Sequence, residues 1–289
     1  AKVVFADVEP DTLNIDPEKI KECITPKTKA IIAVDFTGHA ANLEAIGEIA
    51  KNNNLAFIED AAHALGTTYK GKKVGSIADM TTFSLHPVKH ITTGEGGLVV
   101  TDDSDLAERL RRFRNHGISR DHHQRQEQGT WSYDMEEIGY NYRLTELSSV
   151  LGISQLQKLP ILLERRREIA ARYNVAFSKI SQLTPPTAHP DCESAWHLYV
   201  IKLNLESLNK NRDEIFQALR AENIGVNVHY IPVPWLAYYQ KLGYKKGDWP
   251  VTESNYYRLL SLPMWPGMTD DDVEDVIVAV GKVLSAYQK

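Results

Sequence analysis

Cysteine is scarce in this chain of 289 residues; only Cys23 and Cys192 occur. Two thiols exclude a disulfide framework and a four-cysteine zinc site. They suit a reducing compartment, so a cytoplasmic location is expected. Long apolar runs are missing as well. Runs such as Ala30-Ile31-Ile32-Ala33-Val34 fall far below the ~18 residues of a membrane span, so no membrane partner is expected. Residues 1–8 read as a strand, so no signal peptide is expected in them. Positive charge is not in excess: 33 Lys and Arg stand against 38 Asp and Glu, a formal net charge of -5. Bulk charge therefore gives no help in binding nucleic acid. Repeats and low-complexity tracts are absent. What is present is 43% hydrophobic and 25% charged residues, enough to build a globular core and too apolar for disorder.

Strand-length apolar runs sit at 2–8, 29–34, 55–59, 80–84 and 97–101. Helical patterns lie between several of them. Asp16-Pro17-Glu18 reads as a capped helix start, Asn42 caps a second helix, and a third spans about 104–114. Alternating strands and helices predict crossover connections and a largely parallel sheet covered on both faces. Residues 143–180 are strongly helical, with a break or kink expected at Pro160. A second unit follows, with strands at 197–203 and 224–229, a helix at 212–222 and a last helix from Thr269. The expected architecture is an α/β large domain over 1–150, then a connecting helix and a small α+β domain over 151–289. The chain starts with Ala1 and enters a strand at once, so an N-terminal part is expected to be missing.

Two segments carry chemistry. In Leu55-Ala56-Phe57-Ile58-Glu59-Asp60 an apolar strand delivers an aspartate at its C-terminal end, the edge where open α/β sheets bind ligands. Capping of a following helix is the alternative use for such an Asp. In Ser84-Leu85-His86-Pro87-Val88-Lys89 a strand end presents a hydroxyl and an amine, and Gly94, Gly96 and Gly97 follow. No Gly-Lys-Ser/Thr follows the glycines and no GxGxxG precedes a helix, so neither a P-loop nor a dinucleotide fingerprint is present. An acid for a ring nitrogen, a nucleophilic amine and a hydroxyl for a phosphate are the set that pyridoxal 5'-phosphate requires. His116, His122 and His123 raise the question of a metal, but no acid or Cys stands at ligand spacing on a rigid element, and the Ser119–Gly129 stretch reads as a loop. No metal is expected.

Ile58–Gly66, Phe83–Lys89 and Gly94-Glu95-Gly96-Gly97 resemble the DegT/StrS-type nucleotide-sugar aminotransferases, pyridoxal phosphate enzymes of fold type I (the aspartate aminotransferase fold). The resemblance continues through Arg114–Gly117, Gly139–Glu146, Val228–Val233 and Leu260–Pro263, nearly the whole chain, in family order. His86-Pro87-Val88-Lys89, residues 238–244 and His229-Tyr230-Ile231-Pro232 are most similar to one branch. That branch is the UDP-4-amino-4,6-dideoxy-N-acetyl-β-L-altrosamine transaminases of pseudaminic acid synthesis. The resemblance implies transfer of an amino group from glutamate to C4 of a UDP-linked 4-keto-6-deoxy sugar. It implies that Lys89 is the Schiff-base lysine, Asp60 the ring-nitrogen carboxylate and Ser84 a phosphate ligand. His63 falls near the phenolic oxygen, with helix packing as its alternative. Asn141 matches a residue that reaches the neighbouring subunit's phosphate, which implies a homodimer with shared sites. Arg143 is a substrate or interface residue or else a structural ion pair. His229 and Tyr230 approach the sugar or else pack. Trp265 stands where tyrosine is more usual, which leaves the sugar open.

The family's helix N-terminus for the phosphate and its ring-stacking aromatic belong upstream of Ala1. A truncated member that keeps the fold and dimer surface without turnover is therefore the alternative, as is an aminotransferase for another keto-sugar nucleotide. A related sugar dehydratase would carry histidine in place of Lys89.

Overall fold

The computed structural model describes residues 1–118, 126–127 and 129–289. Its elements in chain order are α1 (Pro17–Cys23), β1 (Ala30–Val34), α2 (Leu43–Asn52), β2 (Ala56–Asp60), β3 (Thr68–Tyr69), β4 (Lys72–Lys73), β5 (Met80–Ser84), β6 (Gly97–Val100) and α3 (Ser104–Phe113). Then come α4 (Glu146–Phe177), β7 (Leu183–Thr184), β8 (Cys192–Glu193), β9 (Tyr199–Leu203), α5 (Arg212–Ala221), α6 (Ala237–Lys241), α7 (Pro250–Tyr256), β10 (Leu259–Leu262) and α8 (Asp270–Ala286).

The main sheet has the order β1-β2-β5-β6. β1, β2 and β5 run parallel, and β6 returns antiparallel to β5. Asp16 and Asn42 cap α1 and α2 through their side chains, and both helices join one apolar core with Ile31, Ala33, Phe57 and Phe83. The opposite face departs from the expected two-sided cover. Period-2 alternation aims Ile32 and Val34 of β1 outward, where they are exposed, and Leu98 and Val99 of β6 are exposed too. α1 and α2 both lie on the other, apolar side.

A second core joins β9, β10, α5, α8 and the C-terminal half of α4. Thr269 caps α8 in a reciprocal box with Asp272. Pro160 does not end α4, which runs 32 residues through it. The proline sits in the solvent-exposed half, where water can take the carbonyl its missing N–H leaves free. Residues 224–229 form no strand; a single antiparallel bridge joins Asn227 to Ser261. Residues 2–8 form no strand either, only a bridge from Val8 to Ile15.

The N-terminal segment instead docks on the C-terminal part. Phe5 packs edge-on against Tyr239, Tyr244 and Trp249, and its carbonyl accepts the Trp249 indole N–H at 3.0 Å. Asp7 is buried and accepts hydrogen bonds from Val251 N (2.9 Å), Thr252 N (2.9 Å) and Thr252 Oγ1 (2.6 Å). A strand pattern alone cannot distinguish a sheet partner from an aromatic bed.

Candidate active site

The C-terminal ends of β2 and β5 lie side by side, with Asp60 paired to Thr82. The Ala61 N–H crosses to the Thr82 carbonyl at 2.9 Å. Ser84 ends β5, pairs with Gly97 and leads into a turn closed by Lys89 N donating to His86 O at 2.9 Å. Leu85 anchors the loop: its N–H donates to Gly96 O at 2.9 Å, and its carbonyl accepts from Thr93 N at 3.1 Å and Thr92 Oγ1 at 3.0 Å. Lys89 is thus held on a short, cross-tied loop above the sheet edge.

Gly38, in the turn after β1, has φ of +100°. A Cβ there would come within 2.9 Å of His63 O and of the Trp196 and His197 backbone nitrogens. Only glycine lets these three segments meet. Thr67 Oγ1 and Ser194 Oγ both donate to the Gly38 carbonyl, at 2.7 and 2.8 Å.

Among the described residues, the Lys89 amine makes no hydrogen bond or ion pair and is half-buried. Burial pushes its pKa below the ordinary lysine range, and the Asp60 carboxylate pulls it partway back. The same amine acts electrostatically on His63, His90, His197 and His229. The rings form a cluster: His63 lies 4.4 Å from His197, His197 lies 5.4 Å from His90, and Tyr230 stacks 6.3 Å from His63. Burial pushes His63 and His90 down to about 3, and Lys89 adds to the shift. His197 is lowered further, by burial first and then by its neighbours. All three imidazoles are therefore neutral near pH 7. His90 Nε2 lies 3.0 Å from the Ala195 carbonyl, where it donates as N–H. His229 Nδ1 lies 2.7 Å from Ser261 Oγ. Asp60 Oδ1 accepts the Ala62 N–H at 3.1 Å, and Ser84 Oγ accepts the His86 N–H at 3.4 Å. The hydroxyl proton of Ser84 has no acceptor among the described residues.

Asp60, His63, Lys89, His229 and Tyr230 thus share one region, with Ser84 on its edge. Among the described residues, Asn141, Arg143 and Trp265 make no hydrogen bond or ring contact with this group. Asn141 forms a bridge with Asn115, and the Arg143 guanidinium donates to Asn115 Oδ1 at 2.7 Å. Trp265 is exposed. His197 and His90 were missed by sequence reasoning: each follows an apolar or loop context that reads as packing, and only the fold shows them against His63. Arg166 of α4, also missed, is buried and donates to the carbonyls of Trp196, His197 and Met264 at 3.0 to 3.3 Å. Burial lowers it to about 10, and its charge disfavours protonation of His90 and His197. Among the described residues no group of three His, Cys, Asp or Glu is placed to hold a metal. His122 and His123, and most of the 119–129 stretch, lie outside the described residues.

A protein of Methanocaldococcus jannaschii described as uncharacterized is 47% identical over 287 residues, covering 99% of this chain and 74% of its own. The spore coat polysaccharide biosynthesis protein SpsC of Bacillus subtilis is 45% identical over 287 residues, covering 98% and 74%. The solved structure of Helicobacter pylori PseC, an aminotransferase involved in the biosynthesis of pseudoaminic acid, superposes with a TM-score of 0.90 at 34% identity, covering 98% of this chain and 74% of that one. The family model for DegT/DnrJ/EryC1/StrS aminotransferases matches residues 1–281. With a lysine amine, an aspartate and a hydroxyl gathered at one sheet edge of the matching fold, the chain belongs to the DegT/DnrJ/EryC1/StrS family of pyridoxal-phosphate-dependent sugar aminotransferases.

Proposed function

We propose that this chain transfers the amino group of glutamate to C4 of a UDP-linked 4-keto-6-deoxy sugar, with Lys89 as the residue that carries the coenzyme. The observation that supports it best is the Lys89 amine: half-buried, unpartnered among the described residues, and within the electrostatic reach of Asp60. The residues present fit the coenzyme. Asp60 has an oxygen without a hydrogen bond, the buried His63 Nδ1 has none, and Ser84 has a free hydroxyl proton. When bound, pyridoxal phosphate supplies a carbonyl that takes up an amino group and a protonated ring that withdraws electrons from the reacting carbon.

Each residue then has a task. Burial keeps a larger fraction of Lys89 as the free amine, so Nζ would hold the coenzyme as its nucleophilic amine and, when free, would act as the base that moves a proton. Asp60 accepts the ring N–H and keeps its proton in place by charge. His63, held neutral by burial, would serve the ring oxygen as a hydrogen-bonding imidazole and bring no extra positive charge. Ser84 donates to the phosphate. His229 and Tyr230 face the sugar, with Trp265 on the rim. Asn141 and Arg143 complete the neighbouring site in a homodimer; the exposed apolar side chains that flank them, including Tyr140, Tyr142, Leu144 and Leu147, support a second copy as occupant. Residues 1–150 hold the coenzyme and 151–289 supply the sugar side.

Incubation with pyridoxal phosphate and borohydride should label Lys89, as read by peptide mass, and Lys89→Ala should abolish both the label and turnover. With glutamate and the 4-keto sugar nucleotide the product should gain one amino group. Label on another lysine would overturn the assignment. The 45% identity to a spore coat polysaccharide protein favours a second reading in which the keto sugar differs. Comparing turnover across UDP- and dTDP-linked 4-keto sugars separates the two.

A further inference from the structure

We infer that Asp35 and Glu59 share a single proton and thereby act as a positioning pair for the strand edge that carries Asp60. The inference needs the proposed role of Asp60 only for its catalytic consequence. Sheet register creates the pair. Ala33 pairs with Glu59, and Glu59 pairs with Thr81. Alternation puts these three on the helix-covered face, and Asp35, two residues past Ala33, returns to that face. Asp60 points the other way. Both carboxyls are 0% exposed.

Their hydrogen bonds leave one oxygen on each. Glu59 Oε2 accepts from Thr81 Oγ1 at 2.7 Å and from Gly75 N at 3.2 Å. Asp35 Oδ1 accepts from Ala41 N at 2.9 Å. Asp35 Oδ2 and Glu59 Oε1 are buried with no hydrogen-bond partner, and the two carboxyls lie close enough for each to act on the other's ionisation. Neither has an ion pair among the described residues. Two carboxylates cannot donate to each other, and two uncompensated charges in one apolar site are prohibitive. One proton between them satisfies both orphan oxygens, as in other carboxyl dyads. Glu59 already accepts two hydrogen bonds, so the negative charge rests there and the proton on Asp35. The other titratable neighbours are Asp60, whose charge favours that proton, and Cys192, itself pushed up to about 11 by burial and so uncharged.

The pair ties β1, β2, β5 and the turn to Ala41 into one knot directly behind Asp60. The Asp35 N–H donates to the Asp60 carbonyl at 3.0 Å. Losing the shared proton would set two like charges against each other across that knot. Burial and the Glu59 charge raise the folded-state pKa of Asp35 above its unfolded value. The folded state therefore binds one proton more than the unfolded chain above about pH 4. Stability falls as pH rises from there to the pair's own pKa, by up to about tenfold in the unfolding constant per pH unit.

The test is infrared spectroscopy of the purified protein at pH 7.5. A protonated-carboxyl stretch should be present, should shift with ¹³C-labelled aspartate, and should vanish in Asp35→Asn, whose amide N–H replaces the shared proton. Asp35→Asn should also remove one proton from the pH slope of unfolding, whereas Asp35→Ala should destabilise at every pH. No band in the wild type, or a band that survives Asp35→Asn, overturns the inference. Should Asp35→Asn fail to fold, the isotope shift in the wild type still decides. With the coenzyme bound, the wild-type rate should fall at alkaline pH as the pair deprotonates, and Asp35→Asn should abolish that fall. An infrared band in a protein that takes up no pyridoxal phosphate overturns the reading of Lys89 and Asp60 instead, and leaves the shared proton standing.

Discussion

The ionisation of Lys89 is set by two opposed effects, burial that disfavours its charge and Asp60 that favours it. Removing the second should unbalance them. Asp60→Asn is expected to lower the pKa of Lys89 further, since it removes the one nearby charge that favours the protonated amine. The pH midpoint of amine-selective acylation at Lys89 reads this directly; a midpoint that stays put would show that the two groups are not partners. Turnover should fall at least about 100-fold, because the ring proton loses its acceptor charge. The histidines behind the amine make a second, independent prediction. His63 and His90 are pinned at about 3 by burial, and His39 at about 4. Their unfolded counterparts titrate near about 6.5. The unfolded chain therefore takes up more protons as pH falls below about 6.5, and the stability present above that value is lost on the way down, by about 1.4 kcal/mol per pH unit for each such histidine. His90→Gln, which keeps a donor for the Ala195 carbonyl, should take one proton off that slope. Urea unfolding at pH 7, 6 and 5 measures it.

Elements whose signals are local coincide closely with the sequence expectation, and elements defined by a distant partner do not. The runs at 29–34, 55–59, 80–84 and 97–101 became Ala30–Val34, Ala56–Asp60, Met80–Ser84 and Gly97–Val100, and the caps at Asp16, Asn42 and Thr269 mark helix starts. The two-residue strands at Thr68, Lys72 and Cys192 are too short to show a period. In the site, Asp60, Ser84 and Lys89 were legible because each ends a strand or a turn. His197 and Asp35 were not: their partners lie more than 100 and 24 residues away in sequence, and nothing local distinguishes them from packing. Residues 2–8 show the same effect in an apolar run that found aromatic rings and no strand partner. Asp7 makes that docking specific. Burial raises its pKa, but the hydrogen bonds from Thr252, Val251 and Val8 outweigh this and hold it below the ordinary range. Its stabilisation is thus present above the unfolded carboxylate pKa and lost as pH falls through the folded one. Asp7→Ala should cost about 1.5–3 kcal/mol at pH 7, the range for hydrogen bonds to a charged acceptor, and the gap between variant and wild type should narrow as pH falls below the ordinary carboxylate range. Thermal unfolding at pH 7 and below that range tests this.

At the scale of the whole molecule, apolar surface is distributed unevenly. The C-terminal half of α4 buries Leu163, Ile169, Tyr173 and Phe177, while the half before Pro160 leaves Leu147 86% exposed, with Val150, Leu151, Ile153 and Leu156 also open. No helix of the described residues is long and apolar enough to cross a membrane. A contiguous apolar stretch of this kind on a water-exposed helix marks an interaction surface. It lies next in sequence to Asn141 and Arg143, the residues assigned to a neighbouring subunit's site, so one interface would both cover the helix and complete the chemistry. Leu147 and Val150 are three residues apart and share a helix face. Replacing both with glutamate sets charge where a dimer must be dry, while the fold loses nothing, since neither side chain is in the core. The double variant should sediment as a monomer with an unchanged circular dichroism spectrum, and the wild type should sediment as a dimer. Its turnover should drop in proportion to the dimer lost, and should recover at high protein concentration as mass action restores the pair. A monomeric variant with full turnover would show that each chain builds its site alone.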